Sequence, residues 1–166
     1  MPFANSALFP ITADVSEDRL TLGGCAAVDL AAEFGTPLYV FDEATLRQVC
    51  GEFVGEFGSR YPDTRVLYAS KAFINAALAR LISEEGLGFD VVSGGELAVA
   101  QAADIPPGHI YLHGNNKGAD ELEMALDYGV GRIVVDNFSE LDLLIELARA
   151  RGVVQDVLIR LSPGVD

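Results

Sequence analysis

The chain has 166 residues, half of them apolar, enough for one hydrophobic core and a compact α/β domain. A formal charge of −14 excludes the clustered cationic surface that nucleic acid or an anionic membrane would need. Cys25 and Cys50 are isolated and lack metal-ligand spacing; no secretory signal or membrane-spanning apolar run is visible, so a reduced, soluble, cytoplasmic protein is expected.

Residues 1–24 carry no helical period, and Pro2, Pro10, Gly23 and Gly24 predict an extended lead-in. Asp29 to Phe34 reads as a short helix stopped by Gly35. Pro37 then opens a predicted strand, Leu38-Tyr39-Val40-Phe41. Asp42 is placed to N-cap a helix whose expected buried stripe is Leu46, Val49, Cys50, Phe53 and Phe57.

From Arg65 onward the pattern becomes regular. Apolar strands are predicted near Val66, Phe89, His109, Ile133 and Val157, a spacing of about 22 to 24 residues. Amphipathic helices fall between them, with stripes at Ile74, Ala77, Leu78, Leu81 and Ile82, then Leu122, Ala125 and Leu126, then Leu141, Leu144, Ile145 and Ala148. Gly86, Gly129 and Gly152 occupy the positions of helix C-caps. Alternating strands and helices imply parallel strands joined by right-handed crossovers. A doubly wound sheet and a (β/α)8 barrel both satisfy this. The short uniform period favours the barrel, as do the polar residues after nearly every strand: Lys71, Ser93, His113, Asp136 and Ser162. So does the lack of a Gly-rich phosphate turn after the first of these strands. Five β/α units are expected, as the first part of a barrel.

Only two lysines occur, Lys71 and Lys117, beside nine arginines. Each follows a predicted strand. A lysine amine can lose its proton and form a Schiff base with a carbonyl, which a guanidinium cannot do. Lys71 ends the run Tyr68-Ala69-Ser70-Lys71, at the carboxyl end of a strand, where α/β folds place their chemistry; a snorkelling side chain is the structural alternative.

Asp90 interrupts the apolar run Phe89-Asp90-Val91-Val92, so its carboxylate must be paired, solvated or presented to a ligand. Ser93 and Glu96 after it have capping-box spacing. The run His113-Gly114-Asn115-Asn116-Lys117 is either a ligand-facing cluster or a Gly/Asn turn. Asn137 and Glu140 read as capping residues without a chemical role. Arg160, between Ile159 and Leu161, calls for an anion or phenolate, or else points outward towards the helices. No Ser-His-Asp set, zinc-ligand spacing or P-loop is present.

Together, Tyr68-Ala69-Ser70-Lys71-Ala72-Phe73, Phe89-Asp90-Val91-Val92-Ser93-Gly94-Gly95-Glu96-Leu97, His113-Gly114-Asn115-Asn116-Lys117 and Val157-Leu158-Ile159-Arg160-Leu161 resemble the diaminopimelate decarboxylase family. These are pyridoxal 5′-phosphate enzymes of the alanine-racemase-like barrel class. Gly35 to Asp42 is similar to that family's first strand.

The resemblance implies decarboxylation of meso-2,6-diaminopimelate to L-lysine, with Lys71 carrying the cofactor. It places Asp90 and His113 at the cofactor and Arg160 near its phenolic oxygen. It also implies a homodimer acting on a small amino acid. Residues 1–36 would be a segment packing on a C-terminal β-domain, and residues 37–166 the first part of the cofactor-binding barrel. The ring-stacking histidine, the phosphate loop, the glutamate at the pyridine nitrogen and the β-domain would all follow Asp166. This chain alone is therefore expected to be inactive. The alternatives are an ornithine, arginine or carboxynorspermidine decarboxylase of the same fold, or a non-catalytic barrel fragment.

Overall fold

The computed structural model describes residues 8–164. The chain divides into two compact units, Met1–Glu56 and Phe57–Asp166.

In the first unit, β1 (Asp14–Ser16), β2 (Arg19–Leu22) and β3 (Cys25–Ala26) form an antiparallel sheet in chain order. Both hairpins have two-residue turns. Glu17 and Asp18 have φ of 51° and 62°, and Gly23 and Gly24 have 56° and 81°. Two successive positive φ values give the turn twist that matches paired strands. The sequence predicts an extended lead-in over residues 1–24; within its described part the extended backbone pairs into this small sheet.

α1 (Ala27–Phe34) follows and stops at Gly35, with φ of 82°. Leu38 to Phe41 form no strand, contrary to the sequence pattern. All four are exposed, and none pairs in a sheet. α2 (Glu43–Arg60) begins as predicted: Asp42 Oδ1 accepts hydrogen bonds from the Thr45 amide at 2.8 Å and the Thr45 hydroxyl at 2.6 Å. Thr12 donates to the other oxygen, Oδ2. Of the stripe expected to be buried, only Cys50 is; Val49, Phe53 and Phe57 are exposed. An apolar stripe fixes which face of a helix seeks cover, not that cover is present.

The second unit has the predicted β/α repeat. β4 (Leu67–Ala69), β5 (Gly88–Val91), β6 (Ile110–Leu112), β7 (Arg132–Val135) and β8 (Val157–Ile159) make a wholly parallel sheet in strict chain order. Between them lie α3 (Ala76–Glu84), α4 (Gly94–Ala102), α5 (Ala119–Tyr128) and α6 (Phe138–Arg151). Each of these helices packs on the next, so all four cover one face. An unreversed strand order with helices on one side is the wall of a β/α barrel; a doubly wound sheet reverses its order and is covered on both faces.

Residue alternation divides the sheet cleanly. Phe89, Val91, Ile110, Leu112, Ile133 and Val135 are buried against the helices. The intervening residues occupy the opposite face. Among these, Ala69, Asp90, Tyr111 and Arg132 share one register row across four strands. Asn75, Ser93 and Asn137 cap α3, α4 and α6 through side-chain oxygens, while Gly129 and Gly152 close α5 and α6 in the left-handed region.

Candidate active site

Lys71 lies in the 3-10 turn Ser70–Ala72, directly beyond β4. Its side chain is exposed, and its amine has no hydrogen bond or ion pair among the described residues. The preceding Ser70 Oγ is buried and also lacks a partner among them.

Asp90 occupies the sheet face opposite the helices, in register with Ala69 of β4. The residues on either side of it, Phe89 and Val91, are fully buried. His113 continues β6 by one ladder bond, donating its amide to Val91 O at 2.8 Å. Its Nδ1 comes to 3.5 Å from Asp90 Oδ1, so these two predicted site residues are brought together. Gly114 turns the chain immediately afterwards, with φ of 123°. A Cβ there would come within 3.3 Å of Val92 O, so both conformation and space call for glycine.

Arg160 sits just past β8, its amide bonded to Val135 O at 2.9 Å. By alternation it shares the open face with Asp90. Its guanidinium donates to Asp136 Oδ1 at 3.0 Å. The anion that a strand-end arginine calls for is thus partly supplied by the neighbouring strand, a role not assigned to Asp136 from sequence. An open groove beside this pair is lined by Asn137, Phe138, Leu141, Ile159 and Leu161.

Lys117 differs sharply from Lys71. Its side chain is 1% exposed and its Nζ lies 2.9 Å from Glu140 Oε1. It also donates to Gly114 O and Val134 O, each at 2.7 Å. An ammonium has three protons, and all three are engaged. Glu140, read from sequence as a cap, does have its amide bonded to Asn137 Oδ1 at 2.9 Å, but its own carboxylate is the partner of Lys117.

The glutamate expected to complete a box at α4 likewise reaches further than predicted. Glu96 Oε2 accepts from the Val92 amide at 2.9 Å, while Ser93 Oγ accepts from Glu96 N at 3.2 Å. A further pair on the open face escaped the sequence reading. Arg132 donates to Tyr111 Oη at 2.7 Å and lies 5.4 Å from its ring centroid. An arginine opening an otherwise apolar strand was the available signal. No group of three or more His, Cys, Asp or Glu side chains among the described residues is arranged to hold a metal. Among them too, no helix is long and apolar enough to cross a membrane.

A strand-end lysine whose amine has no partner among the described residues, on the same parallel β/α wall as a paired carboxylate and imidazole, suits a carbonyl-bearing cofactor. Residues 46–166 match the family model described as the pyridoxal-binding domain of pyridoxal-dependent decarboxylases, and the chain belongs to that family.

It is 50% identical over 148 residues to diaminopimelate decarboxylase of Bacillus subtilis, covering 89% of this chain and 34% of that protein. Against the enzyme of the same name from Mycobacterium bovis, identity is 50% over 145 residues, covering 87% and 32%. The crystal structure of diaminopimelate decarboxylase from M. jannaschii in complex with L-lysine superposes with a TM-score of 0.84 at 33% identity, over 94% of this chain and 37% of that one. A lysine/ornithine decarboxylase from Vibrio vulnificus complexed with putrescine is more distant, with a TM-score of 0.66 and 25% identity over 84% and 36%. The chain thus spans about a third of the length of these relatives.

The residues present fit pyridoxal phosphate on the chemistry of their donor groups. Lys71 offers an amine, Asp90 a carboxylate, His113 an imidazole and Arg160 a guanidinium. The orphaned Ser70 hydroxyl lies next in sequence to Lys71.

Proposed function

We propose that the full-length protein containing this chain decarboxylates meso-2,6-diaminopimelate to L-lysine and carbon dioxide, with pyridoxal phosphate attached to Lys71. One observation carries the assignment of the lysine. Of the two amines in the chain, Lys117 is buried with every proton engaged, whereas Lys71 is exposed and unengaged among the described residues. Half-identity to diaminopimelate decarboxylases over most of the chain supports the substrate, as does the 33% identity to a structurally aligned diaminopimelate decarboxylase against 25% to the lysine/ornithine enzyme.

When bound, the cofactor supplies an electron sink for the pair left on carbon as carbon dioxide departs. The chain's own residues hold and orient. Lys71 Nζ is the attachment point. Asp90 presents a carboxylate on the open face, with His113 Nδ1 against it. Arg160 is held by Asp136 as a fixed cation at the end of β8. The same reading extends to a cytoplasmic homodimer acting on a small amino acid, and the acidic surface supports the exclusion of nucleic acid and anionic membranes as partners.

Carbon dioxide release from meso-diaminopimelate, ornithine and arginine by the full-length protein tests this directly. Release from diaminopimelate alone is expected. Comparable release from ornithine or arginine would move the protein to the polyamine branch.

A further inference from the structure

Glu140 is one of three glutamates with similar places in successive units, each three residues after the N-cap. Glu96 accepts the Val92 amide. Glu121 accepts the Gly118 amide at 3.1 Å and the Gly94 amide at 2.8 Å. Glu140 accepts the Asp136 amide at 3.4 Å. Only Glu140 of the three also meets a lysine among the described residues, and that pair is almost wholly buried.

A buried ion pair is a poor way to gain stability, because removing both charges from water offsets most of their attraction; apolar replacements are often neutral or better. What this pair supplies is position. Lys117 Nζ grips Gly114 O, next to His113, and Val134 O, two residues before Asp136. Glu140 grips the Asp136 amide itself. The backbone is therefore held at three points around the ends of β6 and β7. Those ends carry His113, which faces Asp90, and Asp136, which holds Arg160.

We propose that Lys117 and Glu140 are a positioning pair that sets His113 against Asp90 and Asp136 against Arg160, so that two separate contacts of the active face depend on one buried ion pair. The catalytic consequence rests on the decarboxylase reading above; the geometric claim does not.

The test uses the full-length protein with the double substitution Lys117→Met and Glu140→Leu, which replaces the charges by apolar volume. Crystal structures, thermal unfolding and steady-state kinetics are compared with wild type. The double variant is expected to fold and to lose the His113–Asp90 and Asp136–Arg160 contacts. Its kcat is expected to fall on the order of tenfold or more, with a smaller change in KM. A folded variant that keeps both contacts and the wild-type kcat would overturn the proposal, since a purely structural pair is replaceable in this way. If the double variant does not fold, Glu140→Gln is read by the same criteria. Failure of both to fold would make the pair a folding element and would also overturn the proposal. A wild-type protein that folds but lacks decarboxylase activity would refute the functional reading alone, because the crystallographic comparison needs no turnover.

Discussion

His113 Nδ1 stands 3.5 Å from Asp90 Oδ1, across two parallel strands whose ladder continues through the His113 amide. The two side chains lie 23 residues apart in sequence, and parallel register makes them neighbours. Asp90 lies on the sheet face opposite α3 to α6, while Phe89 and Val91 on either side are completely buried. This fixes the direction of the carboxylate without any need for a bound partner.

Asp90→Asn keeps the shape of the side chain and removes its charge. In the full-length protein it should lower kcat/KM on the order of a hundredfold, the scale of losing one positioned charged group in a reacting site. Thermal unfolding should change little, because the side chain is partly exposed on the open face. Unchanged steady-state kinetics would make Asp90 scaffold.

Phe89→Ala should behave in the opposite way. Phe89 is fully buried beneath the helices and meets Tyr68 edge-on, with ring centroids 6.4 Å apart. Truncation should cost about 3–5 kcal/mol of stability through lost burial and a residual cavity. Denaturant titration measures this, and a loss of well under that range would mean that the β5 face is less tightly packed than described.

Acid should loosen the start of α2. Hydrogen bonds from the Thr12 hydroxyl, then from the Thr45 side chain and amide, hold the Asp42 carboxyl below its ordinary pKa. A carboxylate whose folded value is depressed adds stability that is complete above its unfolded value and disappears as pH falls through the folded one. Hydrogen exchange at the Thr45 amide should therefore show less protection, after correction for intrinsic rates, as pH drops below the usual carboxylate range. Asp42→Asn should flatten that dependence, and an equally steep loss in the variant would contradict it.

The barrel wall was legible in the sequence because its signals repeat. Apolar runs such as Phe89–Val92 recur at one spacing, and Gly129 and Gly152 mark helix ends that a left-handed residue must close. The N-terminal hairpins were not. Their strands are only two to four residues long, and Glu17-Asp18 carries positive φ without the glycine or asparagine that usually signals it.

Leu38–Phe41 has strand composition, but a strand is defined by a partner and these residues pair with none in a sheet. At the site, Lys71, Asp90, His113 and Arg160 could be singled out as chemical residues in apolar or strand-end settings. Their partners could not. Asp136 and Glu140 each had a sufficient local explanation at a helix start, and nothing in the spacing of Lys117 and Glu140 announces a contact formed only when β6 and β7 pair.

We propose different tasks for the two lysines, Lys71 carrying the cofactor and Lys117 holding the scaffold. Borohydride reduction of the full-length protein with pyridoxal phosphate, followed by peptide mapping, separates these tasks. The pyridoxyl group should be found on the peptide containing Lys71, and Lys71→Arg, which keeps the charge but cannot form the bond, should abolish both labelling and turnover. A label on Lys117, or labelling and turnover that survive in Lys71→Arg, would rule out Lys71 as the cofactor's lysine.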